Sequence, residues 1–460
     1  MKLNLPKGRP FFMNRKKTSS ASVWFIAVLC VLLAALAIYV VVSFLTSGSS
    51  LFTSSSFKKG VSNYFGKSAS SITQEELDKV RVLIIDDTNE NRMVIGYDDL
   101  YDAIEKNFNI SADENAVEYD EYLHQISFPT PVTSFADYKL FRNIKYINVS
   151  DCSTFKSLSD LDCFKDLEYL YMESRGLESL EGIEAFPNLK SLFVDSNKIT
   201  DLSPVSKLNA LKAFSCAGME ISDLSAIKDK DLFTLVANNN SITDISALSG
   251  MTGMKTLDLG YNQITDVSAL SGMTELESVY LNANENLASL HGLENAAELR
   301  ELYAPKCSIS DISALAGCTK LSTVYLSENK IEDISALAGL TEMQYLSLSD
   351  NDVKSVAPLK ECTKMTYVLL DGNENVTDWE ELDGLTETTV YGRPSEETEE
   401  TAEETSQADT AEAAETAENQ TAETSEAAET AQAETSEASE TAPAETAEVL
   451  ETVGSETSED

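Results

Sequence analysis

The string "DISALAG" begins at Asp311 and again at Asp333, and the residues between the two copies are themselves a variant of those before and after. An internal period of about 22 residues constrains a fold more than composition does. Each copy must take the same local structure, and none can bury its apolar face without a neighbour. Aligned on their first apolar residue, the units begin at Ile144, Leu167, Leu189, Leu211, Leu232, Met254, Leu276, Leu299, Leu321, Met343 and Met365. Each reads approximately L-x-x-L-x-L-x-x-N-x-I-x-D-I-S-A-L-x-G-x-T-x, which gives about eleven stacked units.

The L-x-L alternation makes a short strand with its apolar places, Val324 and Leu326 in one unit, turned inward. Stacked copies pair such strands in parallel at ~4.8 Å per unit. Asn at the ninth place (Asn197, Asn240, Asn262, Asn284, Asn329, Asn351, Asn373) ends the strand. Its amide can satisfy backbone groups at the turn, and repetition lines the amides into a ladder. In "DISAL" the Ser is expected to cap a short helical turn, with the next place as its first residue. Ser203-Pro204 and Ala357-Pro358 agree, since Pro is favoured there.

The array resembles the leucine-rich repeat family, and its N-x-I-x-D-I-S-x-L form is similar to that of bacterial internalins. The resemblance covers about residues 144–388. It implies an α/β fold: a right-handed leucine-rich repeat solenoid with a parallel β-sheet on the concave face and short helical turns outside. Cys152, Arg175, Met219 and Cys307 stand where Asn is expected, which puts the ladder in question at Arg175 and Met219. The units containing "NENLASL" and "NENVTDW" are one residue longer, and a bulge is expected on their convex side.

Around the array (144–394) the chain divides further. Residues 1–21 carry Lys2, Lys7, Arg9, Arg15, Lys16 and Lys17 and no acid. Within 22–46, Val23 to Leu45 is an uncharged apolar run, long enough to cross a ~30 Å hydrocarbon core. The positive-inside rule places the N-terminus in the cytoplasm and the rest outside. A cleaved signal peptide is the rival reading, but its apolar region would be shorter and its small-residue site nearer the end. The expected state is a single-pass signal-anchor at the cell membrane.

Residues 47–71 are Ser/Gly-rich and read as a flexible stalk. Residues 72–143 read as an N-terminal cap of uncertain fold, with "ITQEELDKVRVLIID" an early strand closing the stack. Asp87, Asn89, Asn91 and Asp98 echo a calcium loop, but Arg92 occupies the place that needs Gly, so an acidic surface loop is the better reading. Residues 395–460 are mainly Glu, Thr, Ala and Ser without Lys or Arg, an expected disordered anionic tail.

The net charge of −43 argues against nucleic acid as a partner. Seven cysteines without regular pairing read as free thiols, and two histidines offer little for a metal site or a triad. No G-x-S-x-G, HExxH or phosphate-cradling loop occurs, so neither catalysis, cofactor nor metal is expected.

Function is expected on the non-Leu strand places, which face the concave solvent. These give a candidate ligand-binding set of Tyr169, Tyr171, Phe193, Asp258, Tyr261, Tyr280, Tyr303, Tyr325, Tyr345 and Tyr367, with Asp195 and Glu301 beside them. Tyr280, Tyr303 and Tyr325 share one column, with Tyr345 and Tyr367 on the next. Rigid exposed aromatics suit a protein or glycan ligand, since they bury area with few rotors. Tyrosines also stack across sheets for structural reasons alone. The expectation is adhesion-like binding at a bacterial cell surface; the alternative is an envelope scaffold or regulatory protein holding a membrane partner.

Overall fold

The computed structural model describes residues 51–86, 91–108, 124–132, 134–173 and 175–394. The expected membrane span, basic segment and acidic tail lie outside these residues. Among the described residues no helix is long and apolar enough to cross a membrane.

One fifteen-stranded sheet runs through the whole of it. The repeat strands are β4 (Tyr146–Asp151), β5 (Tyr169–Tyr171), β6 (Ser191–Phe193), β7 (Ala213–Ser215), β8 (Thr234–Val236) and β9 (Thr256–Asp258). They continue as β10 (Ser278–Tyr280), β11 (Glu301–Tyr303), β12 (Thr323–Tyr325), β13 (Tyr345–Ser347), β14 (Tyr367–Leu369) and β15 (Thr389–Tyr391). Successive strands pair in parallel, with no register slip among β5 to β15. Register is locked because the inward places are apolar in every coil: Leu302, Val324, Leu346 and Val368 are fully buried, and a one-residue slip would expose all of them.

The asparagine ladder is present. Asn329 shows its form: Nδ2 donates to Ala304 O at 2.8 Å, Leu326 O at 3.0 Å and Ser327 O at 3.1 Å, while Oδ1 accepts from Ile309 N at 2.9 Å. Each rung thus ties a coil to the one before it. At Cys307 the thiol takes over one bond, donating to Leu281 O at 3.4 Å. Arg175 turns its guanidinium to Cys152 O at 2.9 Å, and Met219 buries its side chain without replacing the amide.

The outer turns differ from expectation in their cap. Single 3₁₀ turns such as Ser313–Gly317 and Ser335–Leu337 begin at the Ser, whose side chain caps nothing. The Asp two places earlier does that work: Asp311 Oδ1 accepts from Ser313 N and Asp333 Oδ1 from Ser335 N, both at 2.8 Å. Aspartate is the stronger acceptor and reaches the free N–H from outside the turn. In the longer "NENLASL" coil the 3₁₀ turn is replaced by an isolated bridge, Ser289 to Asp311. Gly292 in that coil has φ of +122°, and a Cβ there would lie 2.2 Å from Val267 O.

The cap extends the sheet past β4. β1 (Val82–Asp86) pairs parallel with β4 and antiparallel with β2 (Arg92–Gly96), which pairs antiparallel with β3 (His124–Ser127). The described part of the expected stalk proves to be folded. Helix α1 (Ser55–Phe65) buries Phe57 and Val61, and the Phe57 ring lies 5.2 Å from Phe128 and 5.1 Å from Tyr138. Gly60 permits this approach, since a Cβ there would stand 2.7 Å from the Phe128 ring. The buried Asp137 carboxylate accepts from Thr53 N and Ser54 N, each at 2.7 Å, and fixes the start of the segment. Serine content suggested a stalk, but apolar residues spaced for one helix face decide the fold.

Two further helices complete the cap: α2 (Gln74–Leu77), with a capping box from Thr73 and Glu76, and α3 (Asp98–Phe108). Helix α3 packs Leu100 and Tyr101 on Val82 and Tyr169, so it covers the outward face of the sheet at its N-terminal end. Among the described residues, Cys152, Cys216, Cys307, Cys318 and Cys362 are buried and Cys163 is half-buried.

Candidate functional site

In each coil two strand places, and a third just beyond the strand, point away from the core. The open part of this face begins where α3 ends. Tyr169 lies beneath the helix, 1% exposed, with the Tyr101 ring 6.3 Å away. It belongs to the cap core and not to a binding surface, because Leu100 and Tyr101 supply the apolar cover it needs. Tyr171 is half-buried at the helix edge and stacks on Phe193 at 4.5 Å. Together with Tyr146 they form a first aromatic group.

The second group is larger. Tyr280, Tyr303 and Tyr325 stack at 4.8 and 4.7 Å with ring planes 15° and 13° apart. Tyr345 and Tyr367 stand on the neighbouring column, as the register Thr323↔Tyr345 and Tyr345↔Tyr367 requires. The Tyr345 ring nevertheless leans onto Tyr325 at 4.5 Å, and Tyr367 follows at 6.1 Å. The two columns therefore merge into one diagonal ridge of five rings. Four are half-buried and Tyr367 is 39% exposed. Glu301 Oε2 accepts from the Tyr280 hydroxyl at 3.1 Å and from Ser278 Oγ at 3.0 Å. Burial and this carboxylate push the Tyr280 hydroxyl well above its ordinary pKa, and burial lifts Tyr303 to about 12, so both are neutral donors at physiological pH.

Tyr261 is elsewhere. It falls after strand β9, in the left-handed region at φ 51°, and its side chain is 50% exposed beside the ladder. The place before each ladder position is left-handed in every coil from Ser196 to Gly372: Ser196, Gly218, Asn239, Tyr261, Ala283, Lys306, Glu328, Asp350 and Gly372. A turn residue there cannot join the strand-borne ridge.

Between the two aromatic groups lies a recess. Ala213, Ser215 and Asn238 point outward yet are buried, and Gly260 carries no side chain. Asp195 stands at one side, its carboxylate accepting from Ser215 Oγ at 2.6 Å and Ala217 N at 2.7 Å. Desolvation pushes its pKa up to about 7, with Glu173 and Asp258 adding repulsion. Asp258, on the other side, is raised by desolvation to about 6 and accepts from Gly260 N at 3.0 Å. Asn238 and Ser215 escape notice in the sequence because small and amide side chains on a strand carry no signal of depth.

His291 is exposed on the outer turn and bonded to Glu294 at 2.5 Å, remote from this face. Among the described residues, no three acidic, histidine or cysteine side chains gather as a metal site would need.

The family model for Leucine Rich repeats (2 copies) matches residues 230–272, 252–295 and 297–339. Among solved structures the chain is similar to an internalin (InlF) of Listeria monocytogenes, at 27% identity and a TM-score of 0.49, over 51% of this chain and 69% of that one. It is also similar to internalin C2 of that species, at 28% identity and a TM-score of 0.37, over 46% of this chain and 84% of that one. The functional domain of InlJ, again from Listeria monocytogenes, is similar at 21% identity and a TM-score of 0.42, over 47% of each chain. No curated protein matches the chain at a significant level. With strand, asparagine rung and outer turn repeated coil after coil, and the family model matching residues 230–295 and 297–339, the central coils of this chain are leucine-rich repeats.

Proposed function

We propose that this is a membrane-anchored binding protein of the bacterial cell surface, and that the outward sheet face takes a protein ligand through the ridge Tyr280–Tyr303–Tyr325–Tyr345–Tyr367. The observation that carries the reading is the ridge itself. Five rings follow one another at 4.5–6.1 Å from each to the next on strands held by the ladder, and all keep exposed surface. Rings already immobilised lose little entropy when a partner covers them, and tyrosine offers both apolar area and a hydroxyl. A glycan stacking on the same rings is the alternative ligand.

The anchor rests on the uncharged run Val23 to Leu45 and the basic residues before it. Digestion of whole cells with a protease tests it: loss of the repeat domain supports an exported array, and protection refutes it. The ridge is tested by Tyr303→Ala with Tyr325→Ala in the full chain, assayed by capture of partners from surface extracts. Binding should fall at least tenfold while thermal unfolding still shows a folded array. Unchanged capture by a folded variant removes the ridge from the binding site.

A further inference from the structure

The recess between the two aromatic groups has a chemistry of its own. At the outward place next to the core, the coils from β6 to β10 carry Phe193, Ser215, Val236, Asp258 and Tyr280 in register. Two rings thus bound three smaller side chains, across four strand spacings or ~19 Å. What lies between is supplied with acceptors and short of donors. Asp195 and Asp258 bring carboxylates whose ionisation is held back by desolvation. Asn238, 8% exposed, turns outward because Ala237 before it faces the core, and its Oδ1 has no hydrogen-bond partner among the described residues.

A buried acceptor left without a donor is unfavourable, and a partly desolvated carboxylate beside it adds to that cost. A ligand that brings donors and positive charge relieves both. Neither the ladder nor the stacking of coils uses Asn238 Oδ1, so packing does not account for it. The lysines at the margin of the face are already engaged: Lys190 with Glu168, Lys212 with Asp231 and Lys255 with Glu277. The complement must come from outside. With no metal-like cluster among the described residues, an organic cation is the fitting one.

We propose that the recess bounded by Phe193 and Tyr280 binds a cationic side chain of the protein ligand, with Asp195, Asn238 and Asp258 as its acceptors. This rests on the reading of the sheet face as the ligand-binding surface, and names the chemistry of part of that ligand. An arginine suits the place best: its planar fork supplies several donors at once, and its faces can lie against Phe193 or Tyr280.

The test uses the full chain and an acetylated, amidated Leu-Arg-Leu peptide beside its citrulline counterpart, which keeps the planar shape but loses the charge and exchanges one donor NH2 for an acceptor oxygen. Titration calorimetry at near-physiological salt should show roughly tenfold tighter binding of the arginine peptide. Asp195→Asn combined with Asp258→Asn should bring the two peptides to near parity, and Asn238→Leu should reduce the preference in part. The acidic segment after Arg393 is present in every variant, so non-specific attraction to it cancels in the comparison. Equal affinity for both peptides in the native chain, or no binding of either, overturns the proposal. So does an arginine preference that survives the double variant. The ridge variants above report separately: partner capture that withstands them, together with an arginine preference, removes the ridge and keeps the recess.

Discussion

A single asparagine at the rung can close four backbone groups at once. Asn329 serves Ala304 O, Leu326 O, Ser327 O and Ile309 N, so Asn329→Ala strips partners from buried groups in two coils. The expected loss is about 2–4 kcal/mol, read from urea unfolding. Asn329→Cys should cost roughly half as much, because the neighbouring rung at Cys307 shows that a thiol keeps one of the bonds. Equal losses would mean that side-chain volume, not hydrogen bonding, matters at the rung. This feature was legible in the sequence, because only an amide has both donors and an acceptor of that reach. The left-handed place before it was not legible. Nine coils need positive φ there, yet Ala283, Lys306 and Glu328 fill it as readily as Gly218 and Gly372. The surrounding ladder imposes the conformation on residues that disfavour it by roughly 1–2 kcal/mol. Ala283→Gly relieves that strain and loses some of the gain to unfolded-chain entropy. It should raise stability by up to about 1 kcal/mol in the same assay, and a loss there would contradict the strain.

At the scale of elements, the outer turn decides between two capping schemes. If Ser were the cap, Ser335→Ala would be the damaging change. Asp333 instead accepts from Ser335 N at 2.8 Å and from its hydroxyl at 3.1 Å, so Asp333→Ala removes both bonds and Ser335→Ala only the one from the hydroxyl. Asp333→Ala should cost about 1 kcal/mol and Ser335→Ala a few tenths, measured by thermal unfolding of the two variants side by side. The reverse order restores Ser as the cap. Strands, rungs and turns could be read because they recur, and recurrence averages out exceptions. The cap does not recur. Its helix α1 hides Phe57 and Val61 in a serine-rich stretch, and α3 hides the fact that Leu100 and Tyr101 take Tyr169 out of the solvent face. Both are long-range contacts that no local pattern encodes, which is why one ring of the expected site is core.

For the molecule as a whole, the acids on the two sides of the solenoid titrate in opposite directions. On the outer turns, Asp201, Asp244, Asp266 and Asp311 accept from the serine two places on, which holds their pKa values below the ordinary carboxylate range. Their contribution is present above the unfolded pKa and is lost as pH falls through the folded one, so the array weakens in acid. On the sheet face, desolvation raises Asp195 from 3.8 to about 7 and Asp258 to about 6. Here the sign reverses. The folded state keeps protons that the unfolded chain has released, so this contribution is intact below pH ~4 and is lost as pH rises to 6 or 7. Stability should therefore peak at pH ~4 and fall by a few kcal/mol toward pH ~7, since each tenfold difference in proton affinity between folded and unfolded chain is worth roughly 1.4 kcal/mol. Asp195→Asn keeps an oxygen for Ser215 and Ala217 but cannot ionise, so it should flatten the fall between about pH 4 and 7 and leave the acid side unchanged. Urea midpoints across that range decide the matter. An unchanged slope would mean that Asp195 is ionised in the folded chain at pH 5, and the recess would then be wetter than its burial implies.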